Sequence, residues 1–102
     1  MSASPRRVVI SGLGPVTPAG VGIDALWELA CNGGHALSRI QCFDASGFRS
    51  RHGGEITREL FNVRDAVPKS YRKATKVMAR DIEFAVGGAA AAVADAGLVT
   101  RA

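Results

Sequence analysis

The order of hydrophobic patterns along this sequence predicts an α/β architecture, strand-helix-strand-helix (β-α-β-α), with an incomplete sheet. Three observations carry that prediction. A short apolar run near the N-terminus does not alternate with polar residues, two stretches repeat their apolar positions at helical spacing, and Gly- and Pro-rich segments separate them. With 102 residues, 47% of them hydrophobic, the chain suffices for one small domain over residues 1–102 but not for an architecture of many strands.

Arg7 to Gly12 is the first element: Val8, Val9 and Ile10 in succession predict a strand buried on both faces. Gly12-Leu13-Gly14-Pro15-Val16-Thr17-Pro18-Ala19-Gly20 is too rich in Gly and Pro for anything but a loop. From Gly22 onward Ile23, Leu26, Trp27 and Ala30 recur at three and four residues, with Asp24 and Glu28 early, which predicts a short amphipathic helix stopped by Asn32-Gly33-Gly34. Trp27 is expected to anchor the core. Phe43-Asp44-Ala45-Ser46-Gly47-Phe48 has the composition of a turn, and a second short strand is expected within His52 to Ile56. Pro68 then leads into a helix predicted from about Ser70 to Ala96 and ended by Gly97, with Ala74, Val77, Met78, Ile82, Ala85, Ala89, Ala92, Val93 and Ala96 on one stripe. Its second half, Phe84 to Ala94, is apolar all round and predicts burial on every side, with a bend at Gly87-Gly88.

Charge is unevenly distributed. The net charge is +4, but residues 1–48 are balanced, residues 49–80 carry nine basic side chains against Glu55, Glu59 and Asp65, and the remainder is acidic. A basic middle segment fits an acidic partner, whether protein, nucleic acid or anionic membrane surface. Only Phe61 and Tyr71 stand within it as aromatics, which disfavours single-stranded nucleic acid. No run approaches the roughly 18 apolar residues of a membrane span, and the run behind Arg6 and Arg7 is too short for a signal peptide, so a cytoplasmic location with reduced thiols is expected.

Candidate chemistry is sparse. Gly12-Leu13-Gly14 has the start of a dinucleotide fingerprint, yet Thr17 replaces the third glycine and Pro15 and Pro18 remove amide donors, so a tight turn is the better reading. Cys31, His35, Cys42 and His52 lack the close pairing of a zinc site. Cys31 is expected to pack as a small apolar group and His52 to lie in or near a strand. No nucleophile-elbow pattern is present.

Four segments taken in order resemble the β-ketoacyl-acyl carrier protein synthase family, whose fold is thiolase-like. They are Arg6 to Gly20 as its first strand and loop, the helix bearing Trp27, Phe43 to Phe48 with Gly53-Gly54-Glu55-Ile56 as its next loop and strand, and the helix ending Ala94-Asp95-Ala96-Gly97-Leu98. The resemblance spans nearly the whole chain and implies the N-terminal segment of a homodimeric acyltransferase. Such an enzyme condenses an acyl thioester with malonyl-acyl carrier protein, with decarboxylation, in fatty-acid or polyketide synthesis. In the family the nucleophilic cysteine, two histidines and a lysine all come later than the matched segments. None of Cys31, Cys42, His35 and His52 matches them, so no catalytic residue is assigned, no cofactor or metal is expected, and the chain alone is expected to be inactive and poorly stable.

The resemblance also implies docking of the acidic acyl carrier protein on basic residues after Pro68. Lys73 and Lys76 fall at matching positions, Arg72 and Lys69 extend the patch, and Val77 stands where a basic residue is common. A solvated helix face is the competing account of these charges. Two other functions fit the sequence: a small non-catalytic module holding an acidic protein, or a cysteine-less partner subunit of a synthase.

Overall fold

Among the described residues the chain forms two antiparallel strand pairs and three helices, and the last helix packs against the first strand and the turn around Val63. The computed structural model describes residues 4–99. Strands β1 (Val16–Thr17) and β2 (Gly20–Val21) pair antiparallel, followed by α1 (Ile23–Cys31). Strands β3 (Ser38–Arg39) and β4 (His52–Gly53) form a second antiparallel pair. Short 3-10 turns at Val63–Asp65 and Lys69–Tyr71 lead into α2 (Arg72–Thr75) and α3 (Arg80–Asp95).

Local chemistry explains several of these elements. In the first hairpin the Thr17 hydroxyl donates to the Gly20 carbonyl at 3.1 Å and accepts from the Ala19 amide at 3.2 Å, closing the turn over Pro18 and Ala19. Helix α1 lies where the periodicity puts it. Gly33, at φ 65°, takes the left-handed conformation that ends it, and the Gly34 amide donates to the Leu29 carbonyl at 3.1 Å. The Phe43–Phe48 turn is also as expected: Asp44 Oδ1 accepts from the Ser46 amide at 3.0 Å, and the two phenyl rings meet edge to face. His52 lies in β4, within the span expected to be a strand.

Several expectations are corrected, the Gly12 to Gly20 loop among them, since Val16–Thr17 and Gly20–Val21 pair there as short strands. No strand forms over Arg7 to Gly12, where Val8 is 92% and Ile10 82% exposed, because among the described residues no other strand pairs with this segment. Trp27 is 67% exposed and α1 buries no residue, since no second layer covers its apolar stripe. Cys31, at the end of that helix, is exposed for the same reason. The long helix is broken between Thr75 and Arg80, where Ala79 takes an extended backbone at ψ 160°.

The break has a cause in Arg80. Its Nη2 lies 3.0–3.2 Å from the carbonyl oxygens of Ile56, Thr57 and Phe61, its Nη1 donates to Glu83 at 2.7 Å, and its guanidinium stacks 4.6 Å from the Phe84 ring centroid. Hydrogen bonds from a charged donor contribute about 1.5–3 kcal/mol, against about 1 for an ordinary helix bond, so redirecting the chain at Ala79 to seat Arg80 is favourable.

Helix α3 then runs through Gly87-Gly88 without interruption, but it is buried on one face only, at Glu83 and Gly87. That face receives Phe61, which with Val63 and Ala45 makes up the buried apolar core among the described residues. A methyl on Gly87 would collide with the Phe61 ring, and one on Gly14 would strike the Gly88 carbonyl and the Ala92 amide. The Gly12–Val16 segment therefore lies directly on the helix backbone, secured by the Leu13 amide donating to Asp95 Oδ2 at 2.9 Å. The radius of gyration is 17.6 Å, where a compact domain of this length has about 13 Å. Such an open arrangement leaves one small core to hold the chain.

Two outcomes follow for stability. Gly14→Ala is expected to destabilise by about 1–3 kcal/mol, because backbone atoms oppose the new methyl, whereas Gly47→Ala meets open space and should leave the urea midpoint almost unchanged. Glu83 is held below the ordinary carboxylate range by the hydrogen bond from Arg80, with the charge of Arg58 adding to it and burial opposing it. A depressed folded value means the contribution is full at neutral pH and is lost as pH falls through that value. The difference in urea midpoint between wild type and Glu83→Gln should therefore narrow progressively below about pH 4.

Candidate functional site

The basic residues singled out after Pro68 sit on one short stretch. Pro68, extended at ψ 154°, turns the chain into the 3-10 turn that begins with Lys69, and Arg72 and Lys73 open α2. Lys76 follows immediately. Positions 69, 72, 73 and 76 are spaced by three and four residues, so a helical backbone gathers them on one side. Thr75, three residues on from Arg72, is buried, and its hydroxyl donates to the Arg72 carbonyl at 2.6 Å. Lys69, Lys73 and Lys76 are exposed, and Arg72 is half-buried with its Nε enclosed and unpartnered. Among the described residues the ion pairs are Arg58–Glu83 and Arg80–Glu83, so none of the four has an acidic partner.

Beside this patch runs a groove of about 250 Å³ between the 58–64 segment and α2, lined by Arg58, Arg64, Lys76, Val63, Met78 and Glu83 among others. Asn62 Oδ1 accepts from the Arg64 amide at 3.1 Å and so shapes the turn that carries Arg64 to the rim. Sequence reasoning missed Arg58 and Arg64 as members of the site. Their only signal was the basic excess of the 49–80 segment, because they reach the groove from a turn with no periodic spacing to α2.

A larger cleft of about 410 Å³ lies between Phe61 and α3, lined mostly by carbon from Leu60, Phe61, Ala66, Ala90 and Ala91, with Asn62 and Asp65 at its edge. It gathers no nucleophile. Cys42 is exposed, and its thiol is raised by the hydrogen bond to Glu55 and by that carboxylate's charge. Glu55 also accepts from the backbone amides of Gln41 at 3.0 Å and Cys42 at 3.0 Å, so it pins this loop to the residues after β4. A reactive thiol requires a cationic or basic neighbour, the opposite of this surrounding. His35 Nδ1 accepts from the Leu37 amide, and no group of three or more His, Cys, Asp or Glu side chains comes together among the described residues. No helix in the described residues is long and apolar enough to cross a membrane.

Comparison with known proteins bears on the chain as a whole. The family model described as beta-ketoacyl synthase, N-terminal domain, matches residues 5–102. The Streptomyces violaceoruber protein named "Granaticin polyketide putative beta-ketoacyl synthase 1" is 42% identical over 98 residues, covering 95% of this chain and 22% of its own length. The 3-oxoacyl-[acyl-carrier-protein] synthase 2 of Synechocystis sp. is 38% identical over 94 residues, covering 92% of this chain and 21% of its own. The tetracenomycin polyketide synthase ketoacyl synthase alpha subunit of Streptomyces glaucescens is 47% identical over 51 residues, half of this chain and 12% of its own. The chain thus spans about a fifth of the length of the first two of these curated relatives.

The environment of Cys42 makes one further expectation measurable. Replacing Glu55 with alanine removes both the bond and the charge that raise the thiol, so alkylation of Cys42 by iodoacetamide at mildly alkaline pH should be faster in Glu55→Ala than in the wild type. An unchanged rate would show that Glu55 does not govern this thiol.

Proposed function

The chain belongs to the β-ketoacyl synthase family, and from that premise we propose that residues 1–102 form the N-terminal part of one synthase domain of thiolase-like fold. The whole protein is then a cytoplasmic, homodimeric acyltransferase. It carries out decarboxylative condensation of an acyl thioester with malonyl-acyl carrier protein, in fatty-acid or polyketide synthesis. The role of this segment is twofold. It contributes a framework, with apolar surfaces such as Val8 to Ile10 and Trp27 covered by the rest of the domain, and it offers a docking face to the acidic carrier protein. The nucleophile and bases are supplied from outside these residues, and the segment alone does not turn over substrate.

The observation that supports docking is the set of Lys69, Arg72, Lys73 and Lys76 gathered on one side of the 69–76 stretch with no acidic partner among the described residues. Basic side chains that serve only solubility are usually interspersed with acidic ones. Here the nearest acidic residues in sequence are Asp65 and Asp81, both outside the stretch. Four cations in one face attract an acidic protein through long-range steering and pair with its carboxylates on contact.

Binding of a purified acyl carrier protein to the full 102-residue chain tests this. Lys73→Glu and Lys76→Glu should each weaken binding about fivefold to tenfold at low ionic strength, and the loss should shrink at high salt as the charges are screened. Affinity unchanged in both variants would rule out docking on this face.

A further inference from the structure

The groove beside the basic face has a lining that narrows what it accepts. Arg58, Arg64 and Lys76 stand around it against a single carboxylate, Glu83. That carboxylate is already engaged, closer to Arg80 at 2.7 Å than to Arg58 at 3.3 Å. The remaining polar lining offers donors. Asn62 uses its carbonyl oxygen on the Arg64 amide, which leaves its NH2 group to donate, while the Thr75 hydroxyl has given its hydrogen to the Arg72 carbonyl and keeps only weak, neutral acceptor lone pairs. The groove therefore presents an excess of positive charge and hydrogen-bond donors, with no uncommitted acceptor of comparable strength.

The apolar part of its lining discriminates between anions. Val63, 2% exposed, and Met78 add carbon to the lining, so a free phosphate would lose water against them without gaining a partner there. A glutamate or aspartate side chain has the complementary build: methylene to set against Val63 and Met78, and a carboxylate whose planar pair of oxygens matches a guanidinium fork. Lys76 belongs both to this groove and to the exposed basic stretch, so one partner surface can meet the two together.

We infer that the groove seats one acidic side chain of the docking protein, held by the guanidinium groups of Arg58 and Arg64 and the ammonium of Lys76. This deepens the docking reading above and rests on it. Arg64 is the cleanest reporter, because it is exposed and makes no ion pair among the described residues, whereas Arg58 also braces Glu83.

The test titrates the full chain with an acyl carrier protein at low ionic strength, using Arg64→Gln, Arg64→Lys and, outside the groove, Lys73→Glu. Arg64→Gln should bind about fivefold more weakly, and Arg64→Lys should fall between it and wild type, because it keeps the charge and loses the fork. Inorganic phosphate should compete no better than chloride at matched ionic strength. Wild-type affinity in Arg64→Gln together with weakened Lys73→Glu would overturn the groove and leave docking intact. Unchanged affinity in both would overturn docking and the groove with it. Selective competition by inorganic phosphate would overturn the assignment of a carboxylate side chain.

Discussion

Arg80 is the residue on which the arrangement of this chain depends. One guanidinium joins three backbone carbonyls of the 56–61 segment, the carboxylate of Glu83 and the faces of two aromatic rings. It thereby holds an irregular stretch, with few hydrogen bonds of its own, against the start of α3. Phe61, whose own carbonyl is one of the three, is held at the core by these contacts and packs against Gly87, with Val63 buried two residues on. A core with so few buried apolar residues relies on such polar ties more than a large domain would.

The position of the basic face is a result of the same constraint. Had the helix continued from Ser70 to Ala96, Lys76 and Arg80 would lie one turn apart on a single straight rod. The turn at Lys76 to Ala79 instead sends Arg80 inward and leaves Lys76 outward, at the edge of the groove. One cation braces the fold and its neighbour faces solvent. Arg58 takes part in both, since it contacts Glu83 from the solvent side with its side chain two-thirds exposed. In the docking reading proposed above this face has a purpose, and the local geometry gives it a shape.

Where structure is set within a few residues, the sequence was sufficient. The Asn32-Gly33 stop, the Asp44 turn and the span of α1 all rest on local rules of backbone conformation and short hydrogen bonds, and all are found. Segments whose state is decided by distant partners were misread. Val8, Val9 and Ile10 have the composition of a buried strand, but a strand exists only with a neighbour to pair with. Ala74, Val77, Met78 and Ala79 contain no helix breaker, so nothing local announced the interruption that a side chain one position later imposes through carbonyls 19 to 24 residues away. The candidate site divides in the same manner. Its lysines and Arg72 lay within the basic segment and were singled out only by the family resemblance, while Arg58 and Arg64 join them through the path of the chain between them.

The seam between the Gly12–Val16 segment and α3 differs from the Arg80 cluster in one respect, the length of chain it closes. The Leu13 amide reaches Asp95 across 82 residues, whereas the contacts of Arg80 and Arg58 close spans of no more than 25. Loop-closure entropy makes the longer closure cost about 1 kcal/mol more, and the bond at its end is exposed to water. The molecule thus has an order of loosening built into it. Thermal fluctuation releases the Gly12–Val16 segment from the helix at lower free energy than it releases the aromatic and guanidinium cluster, so the face that carries the proposed docking residues persists in states where that segment has already come away.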